Sequence, residues 1–190
     1  MNNRSDNNNN KKFQYIDVHA HVNFPNYSGD RQEVIKRAHE NGVALINVGT
    51  TLETSRDCVR IAEGYESGVY AIVGMHPVHV RYGDSANTSD NTSDQLVVDP
   101  YHHEFSEHFD EVEFEKLISH PKVVGIGECG IDIFRLPPEL DNTEDRTNLI
   151  ALQEEVFRKQ IRLAVKYDKP IMIHARESYT KILEILDDEF

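Results

Sequence analysis

A chain of 190 residues with 38% hydrophobic and 28% charged side chains holds enough apolar material for one buried core, which excludes wholesale disorder. Its net charge of -13 argues against the sequence-independent grip on duplex phosphate used by basic DNA-binding proteins, while leaving room for a nucleic-acid substrate held by metal ions and a few local cations. The apolar runs are too short to cross a bilayer, the N-terminus lacks the order of a signal peptide, and Cys58 and Cys129 alone make no disulfide framework, so the expectation is a cytoplasmic protein without a membrane partner.

Residues 1–12 contain six Asn and almost nothing apolar, and are expected to form a disordered tail ahead of one folded unit over 13–190. Strands are expected at 15–22, 43–48, 69–75, 123–128 and 170–174. The first helix is expected over about 30–41, ending at Asn41-Gly42, where glycine can take the left-handed cap. Cys58, Ile61, Ala62 and Tyr65 follow the helical i, i+3, i+4, i+7 rule, and Leu149, Leu152, Val156 and Leu163 mark a long helix over about 144–167. Strand runs that are apolar on both faces and alternate with helices indicate parallel βα units. One stretch breaks that rhythm: near 83–111 the chain repeats Asn-Thr-Ser-Asp and turns acidic, with no Lys or Arg from Asp99 to Glu115, as expected of a long solvated insertion.

Chemistry concentrates where strands end. In Asp17-Val18-His19-Ala20-His21, side chains two apart share a strand face, so His19 and His21 can address one metal ion, with Asp17 expected on the same face. Gly125-Ile126-Gly127-Glu128 ends an apolar strand in a carboxylate, expected to share its face with Val124 and Ile126; such a glutamate either reaches solvent or, if buried, needs a cation or hydrogen bonds. In Pro170-Ile171-Met172-Ile173-His174-Ala175-Arg176, His174 offers a nitrogen ligand and Arg176 a fixed cation suited to phosphate. Polar groups at the C-terminal ends of several parallel strands describe the active face of a TIM barrel. His76 is expected in the pocket wall as a hydrogen-bonded, substrate-contacting residue rather than a ligand, and Cys129 should face away from the pocket.

These stretches, together with Gly74-Met75-His76-Pro77 and Gly127 to Asp132, resemble the TatD-type metal-dependent deoxyribonucleases within the wider metal-hydrolase barrels. Val18 departs from the small or hydroxyl residue usual in that family. The resemblance implies that His19, His21 and Glu128 bind one divalent ion, that Glu128 bridges to a second ion held by His174, and that the ions are Mg²⁺, Mn²⁺ or Zn²⁺. It further implies that Glu128 and Arg176 are catalytic, that His76 and Arg176 meet the substrate, that Asp17 and Asp132 support the ligands from behind, and that the substrate is DNA or another phosphodiester, cleaved as a 3'-5' exonuclease or endonuclease.

The family's later His ligand and Glu-Thr-Asp segment have no counterpart before Phe190, so the expected fold is a (β/α)8 barrel truncated to about five βα units, with the edges of the first and fifth strands exposed and available for self-association. Two rival functions follow: a catalytically incomplete or partner-dependent partial barrel, and an amidohydrolase acting on a cyclic amide or ester. Glu128 stands where such amidohydrolases commonly place a modified Lys, which favours phosphoester chemistry.

Overall fold

The computed structural model describes residues 13–80 and 108–190. The expected Asn-rich tail and the expected insertion up to residue 107 lie outside the described residues.

Five parallel strands, β1 (Tyr15–Ala20), β2 (Val43–Val48), β3 (Val69–Val73), β4 (Val123–Asp132) and β5 (Ile171–Arg176), form one sheet in sequence order. Between and after them run α1 (Arg31–Glu40), α2 (Leu52–Glu63), α3 (Glu111–Ile118), α4 (Glu144–Lys166) and α5 (Tyr179–Glu189). Each crossover returns to the next strand on the same side, and the sheet curls into half of a (β/α)8 barrel. Among the described residues no helix is long and apolar enough to cross a membrane.

Local chemistry accounts for the element ends. Gly42 takes φ +73° just past α1, as the Asn-Gly pair predicts. Thr51 caps α2 by accepting the Thr54 amide, which returns its own hydroxyl as an acceptor for the Thr51 amide. Thr143 caps α4 by accepting the Arg146 amide, without a reciprocal bond. The main core lies between the sheet and α2, α3 and α4, where Val73, Met75, Phe114, Ile126 and Val156 pack together. A second cluster, with Phe157, Ile161, Ile182 and Ile185, seats α4 and α5 on β4.

Three features differ from the sequence expectations. The acidic run expected to be solvated enters α3 at Glu111, and Phe109 and Phe114 stack with ring centroids 4.8 Å apart inside the core; two aromatics outweigh the surrounding acids because only one helix face has to be apolar. Strand β4 continues four residues past Glu128, held by pairing of Gly130 with His174 and Asp132 with Arg176. Strict alternation also fails: the β4–β5 register gains one residue between Ile126 and Cys129, so Ile126 joins the helix-side core while Glu128 turns to the concave side, and the two do not share a face.

Strand β1 pairs only with β2 and leaves Tyr15, Ile16 and Val18 more than half exposed, so the expected open edge is present on that side. At the other edge β4 and β5 approach so closely that Gly130, with φ +146°, leaves no room for a side chain: a Cβ there would lie 1.9 Å from the His174 carbonyl oxygen. Gly130→Ala is therefore expected to cost about 3 kcal/mol in urea unfolding, whereas Gly29→Ala, with nothing within 4 Å of the added carbon, should be close to neutral. Equal stability of the two variants would show that β4 and β5 can separate freely at His174.

Candidate metal centre

The curl of the sheet brings the C-terminal ends of strands that are not neighbours to one point. His19 Nε2, from β1, lies 3.1 Å from Glu128 Oε2, at the bulge of β4. His174 Nδ1, from β5, lies 3.0 Å from the other oxygen, Glu128 Oε1, and its Nε2 lies 3.0 Å from Asp132 Oδ2. His76, on the loop after β3, places Nε2 3.1 Å from His174 Nδ1. The His21 ring sits 5.0 Å from that of His19 and stacks on Phe24. Two groups of donors result, His19 with His21 and Glu128, and His76 with Glu128 and His174, the chosen ligand atoms of each lying within 4.8 Å of one another.

The proton inventory tests whether these groups suit a cation. His21 Nδ1 meets the Val48 carbonyl at 3.0 Å and must carry its proton there, which makes Nε2 the acceptor nitrogen of the neutral ring. In neutral His174 the proton belongs on Nε2, facing the Asp132 carboxylate, so the Nδ1 lone pair is aimed toward a carboxylate oxygen of Glu128. At 3.0 Å from Glu128 Oε1 that nitrogen is joined to the carboxylate by an added proton or a cation, and otherwise accepts the hydrogen that His76 Nε2 directs at it from 3.1 Å; a carboxylate or carbonyl behind a ligating histidine is the usual support of a metal site. The donor set, imidazole nitrogens plus one carboxylate, fits a divalent ion. His76 behaves differently. Its Nδ1 accepts the Val78 amide at 3.1 Å, which fixes its proton on Nε2 and makes it a donor aimed into the pocket. In that tautomer the Nε2 facing His174 Nδ1 is a donor and has no lone pair to offer an ion.

Of the remaining expected residues, Asp17 accepts the main-chain amide of His19 at 3.1 Å, and so steadies the strand rather than an imidazole. Arg176 stands across the ladder from Asp132, and its guanidinium carbon lies 3.9 Å from the centroid of the Phe134 ring. Cys129 is fully buried on the helix side, where burial pushes its thiol pKa up and removes it as a nucleophile. Two supporting residues escaped the sequence reading. Gln160 accepts the Met75 amide at 2.8 Å and donates to the Met75 carbonyl at 3.1 Å, holding the main chain just before His76. Gln153 accepts the Asp132 amide at 3.0 Å and donates to the Pro77 carbonyl at 3.2 Å, tying the two loops together. Their signal was present: with Leu149, Val156 and Leu163 they complete one i, i+3, i+4, i+7 stripe of α4, on which a polar residue needs a buried partner.

Electrostatics follow from this packing. Burial opposes charge on His174, but the bonds to Asp132 and Glu128 outweigh it and raise the pKa from 6.5 to about 9 in the metal-free protein. Burial likewise pushes Glu128 and Asp132 up, and His174, with His19 beside Glu128, holds both below the usual carboxylate range. His19 is raised by its bond to Glu128, against the opposing effect of burial. His76, driven down by burial and by the His174 charge to about 3, stays neutral.

Since the folded state holds a proton on His174 more tightly than the unfolded chain, this contribution to stability is complete below about pH 6.5 and is lost as pH rises through about 9. The two depressed carboxylates act at the other end: their contribution is present above the ordinary carboxylate range and is lost in acid. Melting of EDTA-stripped protein should therefore be most favourable near pH 5–6.5 and decline toward pH 9. His174→Gln should flatten the alkaline decline, and an unchanged decline in that variant would assign it to another group.

The sequence matches the family described as TatD related DNase over residues 16–190. The chain is 30% identical over 171 residues to the uncharacterized metal-dependent hydrolase YjjV of Escherichia coli K12, covering 89% of this chain and 53% of that protein. It is 27% identical over 172 residues to the 3'-5' ssDNA/RNA exonuclease TatD of Edwardsiella piscicida, covering 90% of this chain and 54% of the relative. The crystal structure of the E. coli YjjV TatD homologue superposes with a TM-score of 0.66 at 24% identity, over 93% of this chain and 56% of that one. An uncharacterized amidohydrolase from Saccharomyces cerevisiae shares the fold with a TM-score of 0.58 at 15% identity, over 92% of this chain and 51% of that one. The chain thus spans about half the length of these relatives. With its family match running from β1 to the last residue, the chain belongs to the TatD-related DNases, a family of metal-dependent hydrolases.

Proposed function

We propose that this centre is a two-metal phosphodiesterase site acting on DNA. The observation that carries the reading is the division of Glu128: Oε2 faces His19 and Oε1 faces His174, as expected of one carboxylate shared by two cations. On this reading His19, His21 and Glu128 would hold one ion, and Glu128 and His174 would hold the other. When bound, such ions supply Lewis-acid activation of water and of the phosphoryl oxygens.

The chain's own residues supply the rest. The Val48 carbonyl and Asp132 fix the rings of His21 and His174, so that these need not reorganise when a ligand arrives. His76, neutral and carrying its proton on Nε2, would turn that donor from His174 Nδ1 to a phosphate oxygen once His174 holds an ion, without adding charge. Arg176 offers a permanent planar cation to the same phosphate. Support from outside the site comes from the family and from relatives named as single-stranded DNA and RNA exonucleases. Nuclease activity is the reading that uses all of these groups together.

The test is cleavage of a labelled DNA strand with Mg²⁺, Mn²⁺ or Zn²⁺, alongside the metal content of the purified protein. His19→Ala and Glu128→Ala should each lower cleavage on the order of 100-fold or more, and bound metal should fall with it. Full activity in both variants would refute the assignment.

A further inference from the structure

We infer that Phe134, backed by Arg176, is a stacking platform for a nucleobase of a single-stranded nucleic acid, placed at the edge of the metal centre. The inference rests on the proposed nuclease reading and adds the part of the substrate that the centre itself does not touch.

Phe134 is 54% exposed, although it lies two residues from Asp132 and from Leu136, which are 1% and 7% exposed. A single exposed phenylalanine is ordinary on a protein surface. This one is distinguished by what holds it. The amide of Ile133 donates to the Arg176 carbonyl at 3.0 Å, the amide of Arg135 donates to Asp132 Oδ1 at 2.9 Å, and the Ile133 side chain packs on the α4–α5 core cluster. The residues on both sides of Phe134 are therefore pinned, and one of them is pinned to the carboxylate that orients His174.

The Arg176 guanidinium lies over the ring, 3.9 Å from its centroid, so a cation covers one face while more than half of the residue stays open to solvent. A flat, rigid aromatic with an arginine stacked on it beside a phosphate-directed site is what a base needs: a π-face to stack on and a cation within reach of its phosphate. Net charge points the same way. At -13 the chain cannot rely on a broad basic groove, so contact with the polymer has to come from local groups, and base stacking needs no net charge. The base must be unpaired, because a base inside a duplex offers no free face.

The test compares two fluorescein-labelled eight-nucleotide strands with equal charge, oligothymidylate and a strand of abasic tetrahydrofuran units. Both carry phosphorothioate linkages to slow cleavage, and binding to the full chain is read by fluorescence anisotropy in Mn²⁺. The wild-type chain should prefer the thymidine strand by roughly tenfold, Phe134→Ala should bring that ratio close to one, and Phe134→Tyr should preserve it. An equal ratio in wild type and Phe134→Ala, a wild-type ratio near one, or no binding of either strand overturns the platform. Cleavage of ordinary phosphodiester versions of both strands separates the two ideas. Cleavage of both strands with no Phe134-dependent preference removes the platform alone. A Phe134-dependent preference without cleavage of either strand under any of the three metals removes the hydrolase reading and leaves the platform standing.

Discussion

The carboxylate of Glu128 sets the terms for everything around it. Its side chain is only 14% exposed, and an acid this far from water has to be compensated by positive charge or hydrogen-bond donors. The donors come from β1 and β5, the two outermost strands of the sheet, which a flat sheet would hold far apart at its opposite edges. His19 and His174 can both reach Glu128 only because the sheet curls. The half-barrel and the site are thus one structural fact: the curl that a βα repeat imposes is the curl that lets one carboxylate meet histidines from both ends of the sheet.

Holding that arrangement is the work of groups that carry no charge. Gln153 and Gln160 reach from α4 to the main chain around the ends of β3 and β4, bonding the Met75 amide and carbonyl and the Asp132 amide, and adding a second donor to the Pro77 carbonyl, which also accepts the Val80 amide. Removing such a partner from a buried amide or carbonyl costs about 1–3 kcal/mol, more than most surface ion pairs contribute. The bridges from Arg158 and Arg162 on α4 to Glu189 on α5 join two helices at the surface, where Arg162 is 65% exposed although Glu189 is only 10% exposed, and belong to the weaker class. Rigidity at the site therefore comes from buried amide hydrogen bonds, and the ion pairs mainly join helices at the surface.

How much of this was legible in the sequence follows from the same physics. The His19-His21 pair, Glu128 and His174 could be read because each sits at the end of an apolar run, where a polar side chain needs a reason. The five strands could be read because parallel strands buried on both faces leave continuous apolar stretches. Alternation along β4 misled the reading: a period of two assumes an unbroken ladder, and the extra residue between Ile126 and Cys129 sends Ile126 to the helices and Glu128 to the pocket. A one-residue shift has no compositional mark beyond the glycines at 125, 127 and 130. Helix α3 was missed for a different reason, since acids crowd its first turn while two residues, Phe114 and Ile118, decide its burial.

Charge arrangement links the fold to the proposed chemistry. Among the described residues at the centre, Asp132 is engaged with His174 and with the Arg135 amide, and Glu128 is divided between two histidines whose pKa values it raises, so the positive charge held on His174 offsets part of that on the carboxylates. A pocket of this kind offers little negative charge to repel a phosphate, even in a chain whose net charge is -13. Arg176, two residues past His174 on the same strand, stacks its guanidinium on Phe134 and donates no hydrogen bond to either carboxylate of the centre. On the proposed reading, a mobile-proton network beside the fixed cation of Arg176 would let an anionic polymer approach an acidic protein at one point, the point where the chemistry is proposed to occur.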